Sequence, residues 1–128
     1  MEEYVQYHNP ERFATTCAEV ANDDFLVGTN KIVKQLIGRR LWVVCGEGRP
    51  RRYWLCKSYL VAELYPTDDV DFRFYVRGRE GVRWQPPLSL NGLPWFPAFC
   101  RSQSNFSFGL NRIAAPFVEE LHHLVDLI

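Results

Sequence analysis

Five residues, Leu41-Trp42-Val43-Val44-Cys45, run without a polar break. A run of that length is expected of a strand buried in a sheet. The chain around it is cut into further strand-length pieces. Residues 4–8 form a short strand candidate ended by Asn9-Pro10, and Phe25-Leu26-Val27 is a short apolar run closed by Gly28. Residues 52–64 read as a long, bent strand, because Leu55, Leu60, Val61 and Leu64 spread over both faces. Phe72, Phe74 and Val76 alternate with Arg73, Tyr75 and Arg77, the period of a half-buried strand. Gly78-Arg79-Glu80-Gly81 reads as a hairpin turn. A return strand over residues 82–85 then stops at Pro86-Pro87, and a last strand covers residues 110–113.

Helical signals are fewer. Asn30 looks like an N-cap for a short helix with Ile32, Val33, Leu36 and Ile37 on one face and Gly38 as its stop. Residues 11–21 are ambiguous, with room for a turn of helix, and residues 94–101 suggest a short helix beginning at Pro94. The clearest helix is terminal. Phe117, Leu121, Leu124 and Ile128 share a face, and Pro116 suits the first turn. Antiparallel strands joined by short turns protect their edges by curling. The expected fold is therefore α+β: one domain over residues 1–128, a small mixed β pseudo-barrel of about five to six strands. Short helices and a C-terminal amphipathic helix pack on its ends.

Chemistry of the usual catalytic kinds is not signalled. His8 is far in sequence from an acid partner, and His122 and His123 sit on an acidic terminal helix read as an exposed face. Cys17, Cys45, Cys56 and Cys100 match no zinc spacing. Gly46-Glu47-Gly48 lacks the remaining residues of a phosphate loop and reads as part of a turn. Asp68, Asp69 and Asp71 read as a solvated loop. A nonenzymatic protein with no cofactor and no metal is expected, and a hydrolase or nuclease built on His8 is the weakest of three readings. Residues 1–20 lack a basic start followed by an apolar stretch, so no signal peptide is expected. No apolar run nears the ~20 residues of a membrane helix. Reduced thiols, no membrane partner and a cytoplasmic location follow as expectations.

Three local features point to binding. Gly28-Thr29-Asn30-Lys31 gathers N–H groups, a hydroxyl, an amide and an ammonium where a helix is expected to open. Trp95 and the stretch Ser104-Asn105-Phe106-Ser107-Phe108 mix rings with hydrogen-bonding groups, as stacking on a flat base and reading its edge requires. Rings make up 15% of the chain, enough to fill a core and line a pocket as well. Net charge is zero, yet Lys31, Lys34, Arg39, Arg40, Arg49, Arg51, Arg52 and Lys57 stand against the single acid Glu47. That block reads either as a solvated face or as a phosphate-tracking rim.

The order of these pieces resembles the PUA-like superfamily, and within it the EVE domain. The resemblance runs through Tyr4 to Pro10, Phe25 to Lys31 and the buried strand at Leu41. It continues in Val61-Ala62-Glu63-Leu64-Tyr65-Pro66, the Pro87-Leu88 step and the terminal helix. Residues 11–24 have no counterpart, and Phe25-Leu26-Val27-Gly28 replaces a tryptophan-glycine step. The resemblance implies an end-of-barrel pocket and nucleic-acid binding, with modified bases read by several relatives. By position it implies a ligand site from His8, Asn9, Thr29, Asn30, Lys31, Ser104, Asn105, Phe106 and Phe108, to which Trp95 is added. Lys34, Arg39, Arg40, Arg49, Arg51 and Arg52 would form a basic rim. The leading expectation is a binding module for nucleic acid, DNA or RNA, taking a modified or flipped base. The alternative is a protein-interaction or small-molecule module, favoured by rings of exposed type such as Trp84 and Trp95.

Overall fold

A computed structural model of the chain describes residues 2–22, 24–31, 34–107 and 109–126. Six strands form one mixed sheet: β1 (Tyr4–His8), β2 (Leu26–Thr29), β3 (Arg40–Glu47), β4 (Arg52–Pro66), β5 (Phe74–Ser89) and β6 (Leu110–Arg112). Their spatial order is β2-β5-β4-β3-β1-β6. β1 and β3 are parallel and every other pair is antiparallel. The sheet curls into a half-barrel, so its two edge strands, β2 and β6, approach each other without pairing. The helices are α1 (Pro10–Phe13), α2 (Cys17–Val20), α3 (Phe96–Ser102) and α4 (Ala115–Val125), with a 3-10 turn over Ser104–Phe106.

β3 explains its own unbroken apolar run. Leu41, Val43 and Cys45 face one buried cluster together with Tyr4, Val20, Leu36, Tyr59 and Val76. Trp42 and Val44 face a second, with Leu55, Phe96, Phe99, Leu121 and Leu124. The concave face is filled with help from α2, and the opposite face is covered by α3 and α4. Both sides of β3 are dry, so neither set of alternate residues can be polar.

The chain departs from its local signals in four places. β5 runs unbroken through Gly78-Arg79-Glu80-Gly81 and through Pro86-Pro87, where a turn and a stop were expected. The glycines serve close approach. A side chain at Gly78 would overlap the Tyr59 ring, and one at Gly81 the Phe25 ring. Register shifts in the β4–β5 ladder absorb the bend, with Glu80 at φ +52°. β3 likewise extends through Gly46 and Glu47, leaving the turn to residues 48–51.

The helix expected after Asn30 is absent among the described residues. Residues 34–39 form turns, with Leu36 buried and Ile37 more than half exposed; Ile32 and Val33 lie outside the described residues, as does Ile128. Asn30 cannot cap a helix, because its amide is engaged elsewhere. Its Nδ2 donates to the Asp71 carbonyl (3.0 Å) and its Oδ1 accepts from the Arg73 N–H (2.8 Å). Residues 11–21 instead hold two capped helical turns. Asn9 Oδ1 accepts from Glu11 N–H at the start of α1, and Thr16 and Glu19 form a capping box on α2.

The thiols are not all reduced, as Cys17 and Cys45 form a disulfide with Cα atoms 5.7 Å apart. The curl of the sheet brings α2 over β3, a contact no local spacing announces. Trp84 is also buried rather than exposed, its ring stacked 6.4 Å from that of Trp42. Among the described residues, no helix is long and apolar enough to cross a membrane.

Candidate functional site

Where the edges of the curled sheet approach, a cavity of about 400 Å³ remains open. It lies between the end of β1 (Gln6, Tyr7, Asn9), the end of β2 with its following residues (Thr29, Asn30, Lys31) and the start of β6 (Gly109, Leu110). α1 adds Arg12 and Phe13, the β4–β5 connection adds Phe72, and the turn before β6 adds Phe106 and Ser107.

Rings make its walls. Phe13 and Phe72 meet with centroids 4.6 Å apart. Phe106 stacks on Tyr7 at 5.1 Å with planes 14° apart. The Phe72 ring lies on Gly28, where any side chain would overlap it. Phe106 is held in an unusual backbone, since Ser104, Asn105 and Phe106 have φ of +49°, +53° and +62°. The left-handed region is costly for such residues. What offsets it here is the burial of the Phe106 ring, which also contacts Tyr53, Phe96 and Phe99.

Polar groups lie between the rings. Thr29 is buried, with Oγ1 accepting from Lys31 N–H at 3.3 Å. Gln6 is buried in the floor. Its Nε2 donates to the Tyr7 carbonyl (3.1 Å), and its Oε1 has no hydrogen-bond partner. Two cations reach the lining. Lys31 Nζ donates to Asn111 Oδ1 (3.4 Å) across the seam, and the Arg12 guanidinium lies 5.1 Å from the Phe13 ring centroid. Arg51 stands beside them, donating to the Tyr7 hydroxyl (3.0 Å) and pairing with Glu11 (3.7 Å). Burial raises the Tyr7 pKa above the usual tyrosine value, with Arg51 opposing. The phenol is therefore a neutral hydrogen-bonding group at physiological pH.

Of the residues singled out from sequence, Asn9, Thr29, Asn30, Lys31 and Phe106 come together on this cavity. His8 does not line it. Its ring is buried beneath, with Nε2 3.1 Å from the Thr15 carbonyl and the Phe13 ring 5.6 Å away. Burial, opposed by that hydrogen bond, lowers the His8 pKa. Ser104 and Asn105 are exposed on the turn and contribute no lining, and Phe108 lies outside the described residues. Trp95 packs on Phe96, Phe99 and Phe117 instead.

The basic block is divided. Arg49 and Arg51 pair with Glu11 near the cavity. Lys34 is exposed in the turns after Lys31, and Arg52 is exposed at the start of β4. Arg40 is at the other end of β3, donating to Ser58 Oγ and the Glu80 carbonyl. Arg39 lines a separate, wider depression with Glu2 and Arg112. A continuous rim of all six does not form.

Gln6, Arg12, Phe13 and Phe72 are lining residues that sequence reasoning missed. Arg12 and Phe13 fall in residues 11–24, which carried no motif, and Phe72 was expected in a strand but lies before β5 (Phe74–Ser89). Elsewhere, His122 and His123 are exposed on α4 as expected, with His122 Nε2 2.8 Å from Glu3 Oε2 and Trp42 Nε1 donating to Glu3 Oε1 (2.7 Å). Cys17, Cys45 and Glu47 cluster with metal-like proximity. Bonded to each other, however, the sulfurs offer no thiolates, and Glu47 Oε1 already accepts from Cys17 N–H (2.6 Å). No protein-family model matches the chain, and no curated protein matches it.

Proposed function

We propose that the chain is a nonenzymatic binding module whose cavity takes one flat, hydrogen-bonding ring carried on an anionic backbone. A nucleobase turned out of a DNA or RNA strand is such a group. The observation that carries the reading is the meeting of ring walls, amide and hydroxyl groups, and the cations Arg12 and Lys31 in one recess. About 400 Å³ lies within the range of small-molecule sites. A single base fits that scale and a duplex does not, so the nucleotide would enter unstacked. Phe13, Phe72 and Phe106 would supply stacking surface, Asn9 and Ser107 edge contacts, and Arg12 and Lys31 a phosphate contact each. The ionisable groups of the described lining are Tyr7, Arg12 and Lys31. With Tyr7 held neutral, that set binds anions and rings more readily than it transfers protons near pH 7. A PUA-like, EVE-like architecture belongs to the same proposal, supported by the curled sheet and a cavity at its open seam.

The divided basic block favours a second reading, a free mononucleotide or similar small anion, because phosphates beyond the mouth would meet few further cations. Competition separates the two. A labelled single-stranded oligonucleotide is bound at low salt, and a mononucleotide is then titrated in. The strand reading expects weak displacement and binding that falls with salt. Displacement at equal concentrations would select the small-ligand reading, and no binding of either would end both.

A further inference from the structure

We infer that the Cys17–Cys45 disulfide latches one wall of the cavity, making its affinity for ligand dependent on thiol redox state. The inference rests on the cavity being a ligand site, and concerns how that site is controlled.

Asn9, Arg12 and Phe13 all enter the cavity from one short stretch that ends in α2. That stretch has little intrinsic stability. Each of its helices is four residues long, and α1 buries none of its residues. Beside the exposed Glu11 pairs with Arg49 and Arg51 and the Cys56 Sγ contact to the Cys17 carbonyl, three ties fasten it to the sheet. His8 on β1 meets the Thr15 carbonyl, Glu47 on β3 accepts from the Cys17 N–H, and Cys17 is bonded to Cys45 on β3. His8 and Cys45 are register partners on the paired strands β1 and β3, so all three ties converge on one place. Only the disulfide is covalent. Without it, hydrogen bonds, the exposed Glu11 ion pairs and side-chain packing must hold Phe13 against Phe72.

The latch opens by reduction with an external dithiol. The Cys17–Cys45 sulfur–sulfur bond takes two electrons and two protons and becomes two thiols, while the dithiol closes to its own disulfide. The third nearby thiol is a poor internal attacker. Cys56 Sγ lies 3.7 Å from the Cys17 carbonyl, buried and protonated. Both bonded cysteines are buried, so the reductant reaches them through local opening of the stretch. Ligand contacts to Arg12 and Phe13 oppose that opening. By linkage, bound ligand must shift the thiol–disulfide equilibrium toward the disulfide by the factor through which the latch strengthens binding, and by opposing the opening it must also slow reduction.

The test uses the whole chain and a fluorescein-labelled single-stranded DNA. Affinity is measured for the oxidised protein, the dithiothreitol-reduced protein and the Cys17→Ala/Cys45→Val variant, with circular dichroism checking each fold. Reduction rate of the wild type is measured with and without a saturating level of the same DNA. Trypsin cleavage at the Arg12–Phe13 bond, located by mass spectrometry, reports the wall without ligand. We expect at least fivefold weaker binding without the disulfide, at least fivefold slower reduction with DNA present, and faster cleavage at Arg12 after reduction. Equal affinities, or a reduction rate indifferent to bound DNA, overturn the inference even if binding is strong. An oxidised protein that ignores the DNA while cleavage responds to reduction removes the nucleic-acid reading, and redox control of it, but leaves the mechanical latch. Cleavage unchanged by reduction removes the latch itself.

Discussion

Replacing Phe13 with alanine should separate binding from folding more cleanly than any other single change. The ring touches Phe72 (4.6 Å) and His8 (5.6 Å) and carries the Arg12 guanidinium at 5.1 Å. It is only partly buried and sits at the end of a helix with no buried residue. Truncating a buried phenylalanine costs about 3–5 kcal/mol; for a ring half in water, the loss should be nearer ~1–2 kcal/mol. Stacking of one base on one ring is worth ~1–3 kcal/mol. Its removal therefore weakens binding by about 5- to 150-fold. Fluorescence anisotropy with a single-stranded oligonucleotide reads the affinity, and a thermal melt followed by circular dichroism reads the fold. Phe13→Trp, which keeps a stacking face, should recover most of the loss. A Phe13→Ala protein that stays folded and binds within twofold of the wild type would refute the assignment of this wall. Phe99→Ala is the contrasting control. That ring is fully buried in the opposite cluster, so its loss should lower the melting temperature sharply.

Three further outcomes follow from other parts of the fold. Gly28→Ala should displace the Phe72 ring lying on it, giving at least a fivefold loss of oligonucleotide affinity together with reduced stability in the same two assays. Removing the disulfide with Cys17→Ala/Cys45→Val should lower unfolding free energy by about 3–4 kcal/mol, the chain-entropy value for a 28-residue separation, as read by urea denaturation. Lys57 should give stability an alkaline rise. Its ammonium is buried, donating to the Asp24 and Leu26 carbonyls (2.8 and 3.2 Å), and burial lowers its pKa to about 8, with Asp24 opposing. Between pH 8 and 9 the unfolded chain still holds this proton while the folded chain sheds it, so stability rises by ~1 kcal/mol. From about pH 8 upward Cys56 and Cys100, pushed up to about 12 and about 11 by burial, act in the opposite sense, because their unfolded thiols ionise first. From urea denaturation at pH 8 and 9, the change in stability should be ~1 kcal/mol more favourable in wild type than in Lys57→Met, because the cysteine contributions are common to both.

What the sequence disclosed and what it concealed divide along physical lines. β3 was legible because burial on both faces leaves its signature in five consecutive residues, and α4 because its apolar face repeats at helical spacing. β5 was not, because a glycine admitting the Tyr59 or Phe25 ring looks the same in sequence as a glycine making a turn. Asn30 carries a cap-like signal, but partners 41 and 43 residues away claim its amide. The Cys17–Cys45 bond likewise depends on where α2 lands. For the cavity, the polar end of β2 and the ring of Phe106 stood out by composition, whereas Asn9 at the end of β1 came only through the family resemblance. Arg12, Phe13, Phe72 and Gln6 carried no local mark, since only the curl of the sheet makes them neighbours. Arg39 and Arg40 show the converse, lying close in sequence to Arg49 and Arg51 yet at the far end of β3.

The most direct test is nuclear magnetic resonance mapping of an isotopically labelled protein on addition of a short single-stranded oligonucleotide. Shifts should concentrate on the ring signals of Phe13, Phe72 and Phe106 and the amides of Asn30 and Ser107, leaving the region around Arg39 and Arg112 unmoved. Perturbations gathered at Arg39 and Arg112 instead, or none at any oligonucleotide concentration, would contradict it.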